Sequence, residues 1–170
     1  MRDVPISPHQ PQDLPPGVEE PAATPANNPS ARVRLHLPPG TYVLGLTGPI
    51  AAGKSTVAAM LARHGAIVVD AAVIGRRAVA PGEPALAEVI AEFGRDYLRP
   101  DGELDRSALA ARVFADPESR RRLNAIVHPR MEPMLIAALE QAARQRPGGV
   151  VVLEAAVLLE AGWDRLVHAV

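Results

Sequence analysis

A short β-favouring run, Thr41-Tyr42-Val43-Leu44-Gly45-Leu46-Thr47, leads directly into Gly48-Pro49-Ile50-Ala51-Ala52-Gly53-Lys54-Ser55, and a helix-forming stretch, Ser55 to His64, follows. The loop fits G-x-x-x-x-G-K-[ST] at every fixed position, in the strand–loop–helix order that a phosphate-binding loop requires. That order commits the chain to an α/β fold in which a strand delivers the loop to the N-terminus of a helix. Backbone N–H groups of such a loop attract phosphate oxygens. Lys54 is the only lysine, and every other Lys/Arg position is arginine. A compact ammonium on a flexible stem reaches β- and γ-phosphates better than a planar guanidinium does. The residues expected to cradle phosphate are therefore Gly48, Pro49, Ile50, Ala51, Ala52, Gly53, Lys54, Ser55 and Thr56. Ser55 is placed to ligate Mg²⁺, and the bound nucleotide is expected to be ATP.

The rest of the chain reads as further layers of the same architecture. Ala66-Ile67-Val68-Val69-Asp70 and Val150-Val151-Val152-Leu153-Glu154 are apolar strands, each closed by an acid, and Leu166 to Val170 starts a fourth. Strands without polar alternation, separated by helices, predict a parallel sheet with flanking helices. Between residues 73 and 146 the signals are helical: Pro84 opens a helix that Gly94 stops, Asp105 caps one to Phe114, and Asp116-Pro117 opens another ending near Val127. His128-Pro129 is expected to break or bend the chain before a long helix to Arg146. This stretch reads as a helical insertion able to cover a substrate. Residues 1–40 hold ten of the 18 prolines and no Phe, Trp or Tyr, which predicts a disordered Pro-rich N-terminal tail before a folded domain at 41–170. Pro5-Ile6-Ser7-Pro8 matches a Pro-rich ligand pattern that also arises by chance.

Composition narrows the function. Net charge is −1, which gives no nucleic-acid footprint and no polybasic membrane patch. There is no cysteine, hence no disulfide or thiolate metal site, and a cytoplasmic, small-molecule-binding protein is the expectation. No sequence feature specifies an oligomeric state. In an open parallel sheet, ligands bind beyond the carboxyl ends of the strands, so Asp70 and Glu154 point toward the phosphate loop. Each acid could organise a metal or a proton, or could merely cap the next helix, and Glu160 could stand in for Glu154. The middle arginines, among them Arg76, Arg106 and Arg130, could bind a phosphorylated acceptor or face solvent. His128 is open in the same way, as catalyst or as a packed residue at a helix junction.

Several ordered motifs now carry a family resemblance. They are Gly45-Leu46-Thr47-Gly48 into Ala52-Gly53-Lys54-Ser55-Thr56-Val57, Val69-Asp70-Ala71, Pro81-Gly82-Glu83-Pro84-Ala85-Leu86, Phe93-Gly94, Asp101-Gly102-Glu103-Leu104-Asp105-Arg106, Val113-Phe114, Ile126-Val127-His128-Pro129 and Leu158-Leu159-Glu160-Ala161-Gly162-Trp163. From about Tyr42 to Val170 the chain resembles the dephospho-coenzyme A kinase family. The resemblance implies a P-loop kinase fold and transfer of the γ-phosphoryl of ATP to the ribose 3′-hydroxyl of dephospho-CoA, the last step of coenzyme A synthesis. It implies catalytic roles for Lys54 and Asp70. It makes residues 73–146 the acceptor-binding region, with Arg76, Arg106, His128, Arg130 and Glu154 as candidate contacts.

Three departures accompany it. The family usually carries Asp-Ala-Asp after the second strand, whereas this chain has Asp70-Ala71-Ala72, so the leading candidate for the base is missing. Pro49 removes one loop N–H, and the loop alanines demand permissive backbone angles. The family continues beyond the position of Val170 with a lid and a last strand, so the chain is expected to be a C-terminally truncated member with weak catalysis, an uncovered sheet edge and poor solubility. The alternatives are a catalytically impaired nucleotide-binding module of the same fold, or a P-loop kinase for another small alcohol or nucleotide.

Overall fold

The computed structural model describes residues 33–49 and 51–170. The expected tail at 1–32, its Pro5–Pro8 motif and loop residue Ile50 lie outside the described residues. Three parallel strands, β1 (Tyr42–Leu46), β2 (Ile67–Asp70) and β3 (Val150–Glu154), form a sheet in the order β1-β3-β2. Five helices connect them: α1 (Lys54–Arg63), α2 (Ala71–Ala78), α3 (Pro84–Phe93), α4 (Arg106–Ala115) and α5 (Pro117–Gln145). The crossover from β1 to β2 carries α1 past β3, and the return to β3 carries the helical insertion. Right-handed crossovers in opposite directions place α1 and α5 on opposite faces of the sheet.

Register decides what each face carries. Val43 pairs with Val151, Leu44 with Val152, and Leu46 with Glu154, while on the other side Val68, Val69 and Asp70 oppose Val152, Leu153 and Glu154. Side chains alternate along a strand. Val43, Val69, Val151 and Leu153 therefore share one face, where they join a core with Ile74, Met131, Leu135, Leu139 and Trp163. Leu44, Val68 and Val152 share the other face, under α1, and so do the acids Asp70 and Glu154. A second core under the insertion gathers Val79, Leu86, Val89, Leu104, Leu109 and Val113. Among the described residues, no helix is long and apolar enough to cross a membrane.

Four expectations change. The helix expected to stop near Val127 runs unbroken for 29 residues through Pro129 and Pro133. Ala125, Pro129, Pro133 and Ala137 all lie on its exposed row, so the carbonyls that lose their N–H partners face water, while Met131, Leu135 and Leu139 hold the opposite side. The fourth strand is reduced to one parallel bridge, Leu44 to Ala169, after a 3-10 turn at Trp163–Leu166. The edge of β1 is nonetheless covered: Gly45 N donates to Ala169 O, His168 N donates to Val43 O, and the His168 ring accepts from Val43 N at 2.9 Å. Finally, residues 33–40, assigned to the tail by composition, join the folded unit. Val33, Leu35 and Leu37 pack on the main core, and His36 N donates to Glu140 Oε1 at 2.8 Å. Alternate apolar side chains suffice to seat an extended strap that proline content alone would assign to a coil.

Candidate functional site

The loop between β1 and α1 turns sharply because its backbone adopts conformations that side chains resist. Gly48 has φ 143°, Ala51 φ 65° and Gly53 φ 80°; Ala51 is the one described non-glycine residue with positive φ. Gly53 is the N-cap of α1 and accepts from Thr56 N (3.0 Å) and Val57 N (3.1 Å). α1 has no side-chain cap and no acid in its first turn. No acid of α1's own first turn offsets the positive end of the helix, which favours an external anion.

Lys54 is half-buried, and its Nζ donates to Gly48 O and Pro49 O, both at 2.8 Å. The ammonium is therefore folded back over its own loop, held by neutral carbonyls that a phosphate can replace. Ser55 Oγ donates to Glu154 Oε1 at 2.8 Å, joining α1 to the end of the central strand. Glu160, the other acid considered, is exposed beyond β3. Asp70 ends β2 opposite Glu154. Its Oδ1 accepts from Ala72 N at 2.7 Å, so it caps α2 while its second carboxylate oxygen has no hydrogen-bond partner among the described residues. Lys54, Ser55, Thr56, Asp70 and Glu154 thus converge at the carboxyl end of the sheet.

The remaining candidates lie apart. Arg106 NH2 donates to Arg76 O at 2.9 Å, which puts both residues at the C-terminal end of α2. Arg130 pairs with Glu88 of α3. His128 packs its ring 5.1 Å from Trp163, and burial pushes its pKa below the usual imidazole value. Sequence reasoning passed over α2 as an element. Its signal was present in Asp70 as N-cap with Ala71, Ile74 and Ala78 spaced for one buried face.

A sequence profile described as CoaE, dephospho-CoA kinase, matches residues 42–170. The chain belongs to the dephospho-CoA kinase family. It is 50% identical over 129 residues to the dephospho-CoA kinase of Moorella thermoacetica, covering 76% of this chain and 61% of that one. It is 52% identical over 130 residues to that of Anaeromyxobacter dehalogenans, covering 75% and 60%. The chain thus spans about three-fifths of the length of these curated relatives. Among solved structures, TT1252 from Thermus thermophilus superposes with TM-score 0.58 at 38% identity, covering 75% of this chain and 62% of that one. Dephospho-CoA kinase from Campylobacter jejuni superposes with TM-score 0.59 at 21% identity, covering 76% and 64%, which bears on the fold alone.

Proposed function

We propose that this family member binds ATP at the Gly48–Thr56 loop and transfers its γ-phosphoryl group to the ribose 3′-hydroxyl of dephospho-CoA, giving coenzyme A and ADP. The observation that carries this reading is the convergence of Lys54, the uncapped start of α1 and the Ser55–Glu154 pair at one end of the sheet. In the transfer the acceptor oxygen bonds to the γ-phosphorus, the bond from that phosphorus to the β,γ-bridging oxygen breaks, and the hydroxyl proton leaves to a base. Lys54 would exchange its two loop carbonyls for the β- and γ-phosphate oxygens and offset their charge. Loop N–H groups would hold the phosphates in line, and positioning of this kind supplies most of the rate in phosphoryl transfer. Asp70 is the acid left to accept the proton, through the carboxylate oxygen that the α2 cap does not use.

A divalent cation fits the donor set. A hydroxyl and a carboxylate lie 2.8 Å apart, and Mg²⁺ takes hard oxygen ligands, only one or two of them from protein. Ser55 and Glu154 would hold it, and the ion would supply charge neutralisation for the phosphates. The helical insertion at 73–146 serves as acceptor-binding region on this reading, and the lack of cysteine suits a cytoplasmic location.

Chromatography of reactions containing ATP, Mg²⁺ and dephospho-CoA tests the proposal, with coenzyme A as the expected product. ATP binding without coenzyme A formation would remove the kinase reading. It would favour the second one, a nucleotide-binding module, for which the specific support is Ala72, a methyl group one residue beyond Asp70-Ala71 where the family usually has an acid. Lys54→Ala is expected to weaken ATP binding at least about tenfold, the loss of a charge-assisted contact of roughly 1.5–3 kcal/mol.

A further inference from the structure

We propose that His128 and Trp163 form a buried joint that sets the turns at residues 155–162 against the phosphate-binding loop, which makes His128 a positioning residue that serves phosphoryl transfer through Trp163. The proposal rests on the transfer reading above and adds how that end of the sheet is held in shape.

Beyond Glu154 the chain folds into successive tight turns. Ala161 N donates to Val157 O at 2.8 Å, Gly162 N to Leu159 O at 3.0 Å, and Trp163 N to Leu158 O at 2.9 Å. Leu158 and Trp163 are 0% and 1% exposed in the main core, whereas Val157, Leu159 and Glu160 are exposed. Two large side chains therefore anchor the turns, and the position of the turns follows theirs.

The same segment meets the phosphate-binding loop at both of its ends. Ala155 N donates to Leu46 O at 3.0 Å, and Thr47 Oγ1 donates to Ala156 O at 3.5 Å. Leu46 and Thr47 are the last residues before Gly48. Glu154, immediately ahead of the turns, accepts from Ser55 Oγ at 2.8 Å, at the start of α1. A shift of the turns therefore moves the entry to the loop and its exit together.

A ring contact fixes Trp163. The His128 imidazole lies 5.1 Å from it, tilted by 53°, within the range at which aromatic rings attract, and it is the one ring facing the indole among the described residues. The indole N–H is buried and has no hydrogen-bond partner among the described residues, so no hydrogen bond sets the angle of the ring. One turn further along α5, Glu132 pairs with Arg165, so one face of the helix receives the Trp163–Leu166 turn at two points. His128 also stands where the two cores meet, because its neighbour Val127 packs on both. The ring pair therefore lies between the helical insertion and the phosphate-binding loop.

Trp163 is the only tryptophan, so its emission reports the joint directly. The full chain is titrated with a non-hydrolysable ATP analogue and Mg²⁺, and calorimetry follows binding in parallel. In the wild type the emission is expected to shift as the analogue binds. His128→Ala is expected to abolish that shift and to lower kcat about tenfold or more, as a small misplacement away from the chemistry does, while KM for dephospho-CoA changes less than about twofold. His128→Phe keeps a ring against the indole and should recover most of both. Where His128→Ala does not fold, His128→Leu is read in its place, since it keeps the bulk and loses the flat ring. A lower melting temperature with wild-type kcat and emission shift would make His128 merely structural and overturn the proposal. A raised KM for dephospho-CoA with unchanged kcat and emission shift would make it a direct acceptor contact, which overturns the proposal too. Wild-type emission that ignores an analogue bound by calorimetry also overturns it. A wild type that makes no coenzyme A, but whose emission shift is lost in His128→Ala, keeps the joint and removes the transfer reading. A wild type that binds no analogue overturns both.

Discussion

Ala51 holds a left-handed backbone, φ 65°, in a loop whose other described positive-φ residues, Gly48 and Gly53, are glycine. A Cβ in that region costs about 1–2 kcal/mol, and glycine returns part of the relief through a freer unfolded chain. Ala51→Gly is therefore expected to stabilise the protein by about 0.5–1 kcal/mol, seen as a higher urea midpoint at unchanged slope. Gly53, at φ 80°, gives the opposite result: Gly53→Ala brings that strain to the N-cap of α1 and should lower the midpoint. His128 sets a pH dependence. Burial against Trp163 depresses its pKa from the ordinary 6.5, so the native state resists protonation that the unfolded chain accepts. Its contribution to stability is fully present above pH 6.5 and is lost as the pH falls from there toward the depressed value. His128→Gln should flatten that slope, which melting temperatures followed from neutral to mildly acidic pH will show. The position of Lys54 and Ser55 at the start of α1 was legible in the motif itself. The engagement of Asp70 with Ala72 N was not, because a carboxylate at a strand end reads identically as cap or as catalyst.

At the scale of elements, α5 shows where local rules yield. Proline inside a helix costs about 3 kcal/mol or more, and His128-Pro129 reads as a break. Burial of Met131, Leu135, Leu139, Ala142 and Ala143 on one side keeps the helix intact, with both internal prolines turned to water. The strap at residues 33–40 shows the converse. Its prolines suggest a coil, yet Leu35 and Leu37 reach the main core and Glu140 clasps the backbone of residue 36. Leu35→Ala with Leu37→Ala is expected to cost about 1–3 kcal/mol, less than full burial would give because both are partly exposed. Chemical denaturation measures it, and no loss would mean the strap contributes no stability. The three strands and α3 stood within a residue or two of their expected limits, since apolar runs and Pro/Gly punctuation act locally. The bridge at Ala169 did not, because pairing there depends on where β1 presents its edge.

At the scale of the molecule, α5 joins the two cores: Met131, Leu135 and Leu139 belong to the main one, while Leu123 and Ile126 pack on the second and Val127 touches both. A rigid helix shared in this way couples their unfolding. Trp163, the only tryptophan, is 1% exposed in the main core and reports that part alone. Its emission and the far-UV helix signal are expected to change in one coincident transition; separate midpoints would mean that the insertion unfolds independently. By itself the sequence determined the strand–loop–helix unit and the parallel α/β class, because these rest on contacts between neighbours in the chain and on residue types with few substitutes. Tertiary structure alone decided which acid meets Ser55 and how α5 crosses its prolines. Those outcomes depend on the register of β3 between β1 and β2 and on helices packed from distant segments, and no local pattern encodes a distance between residues a hundred positions apart.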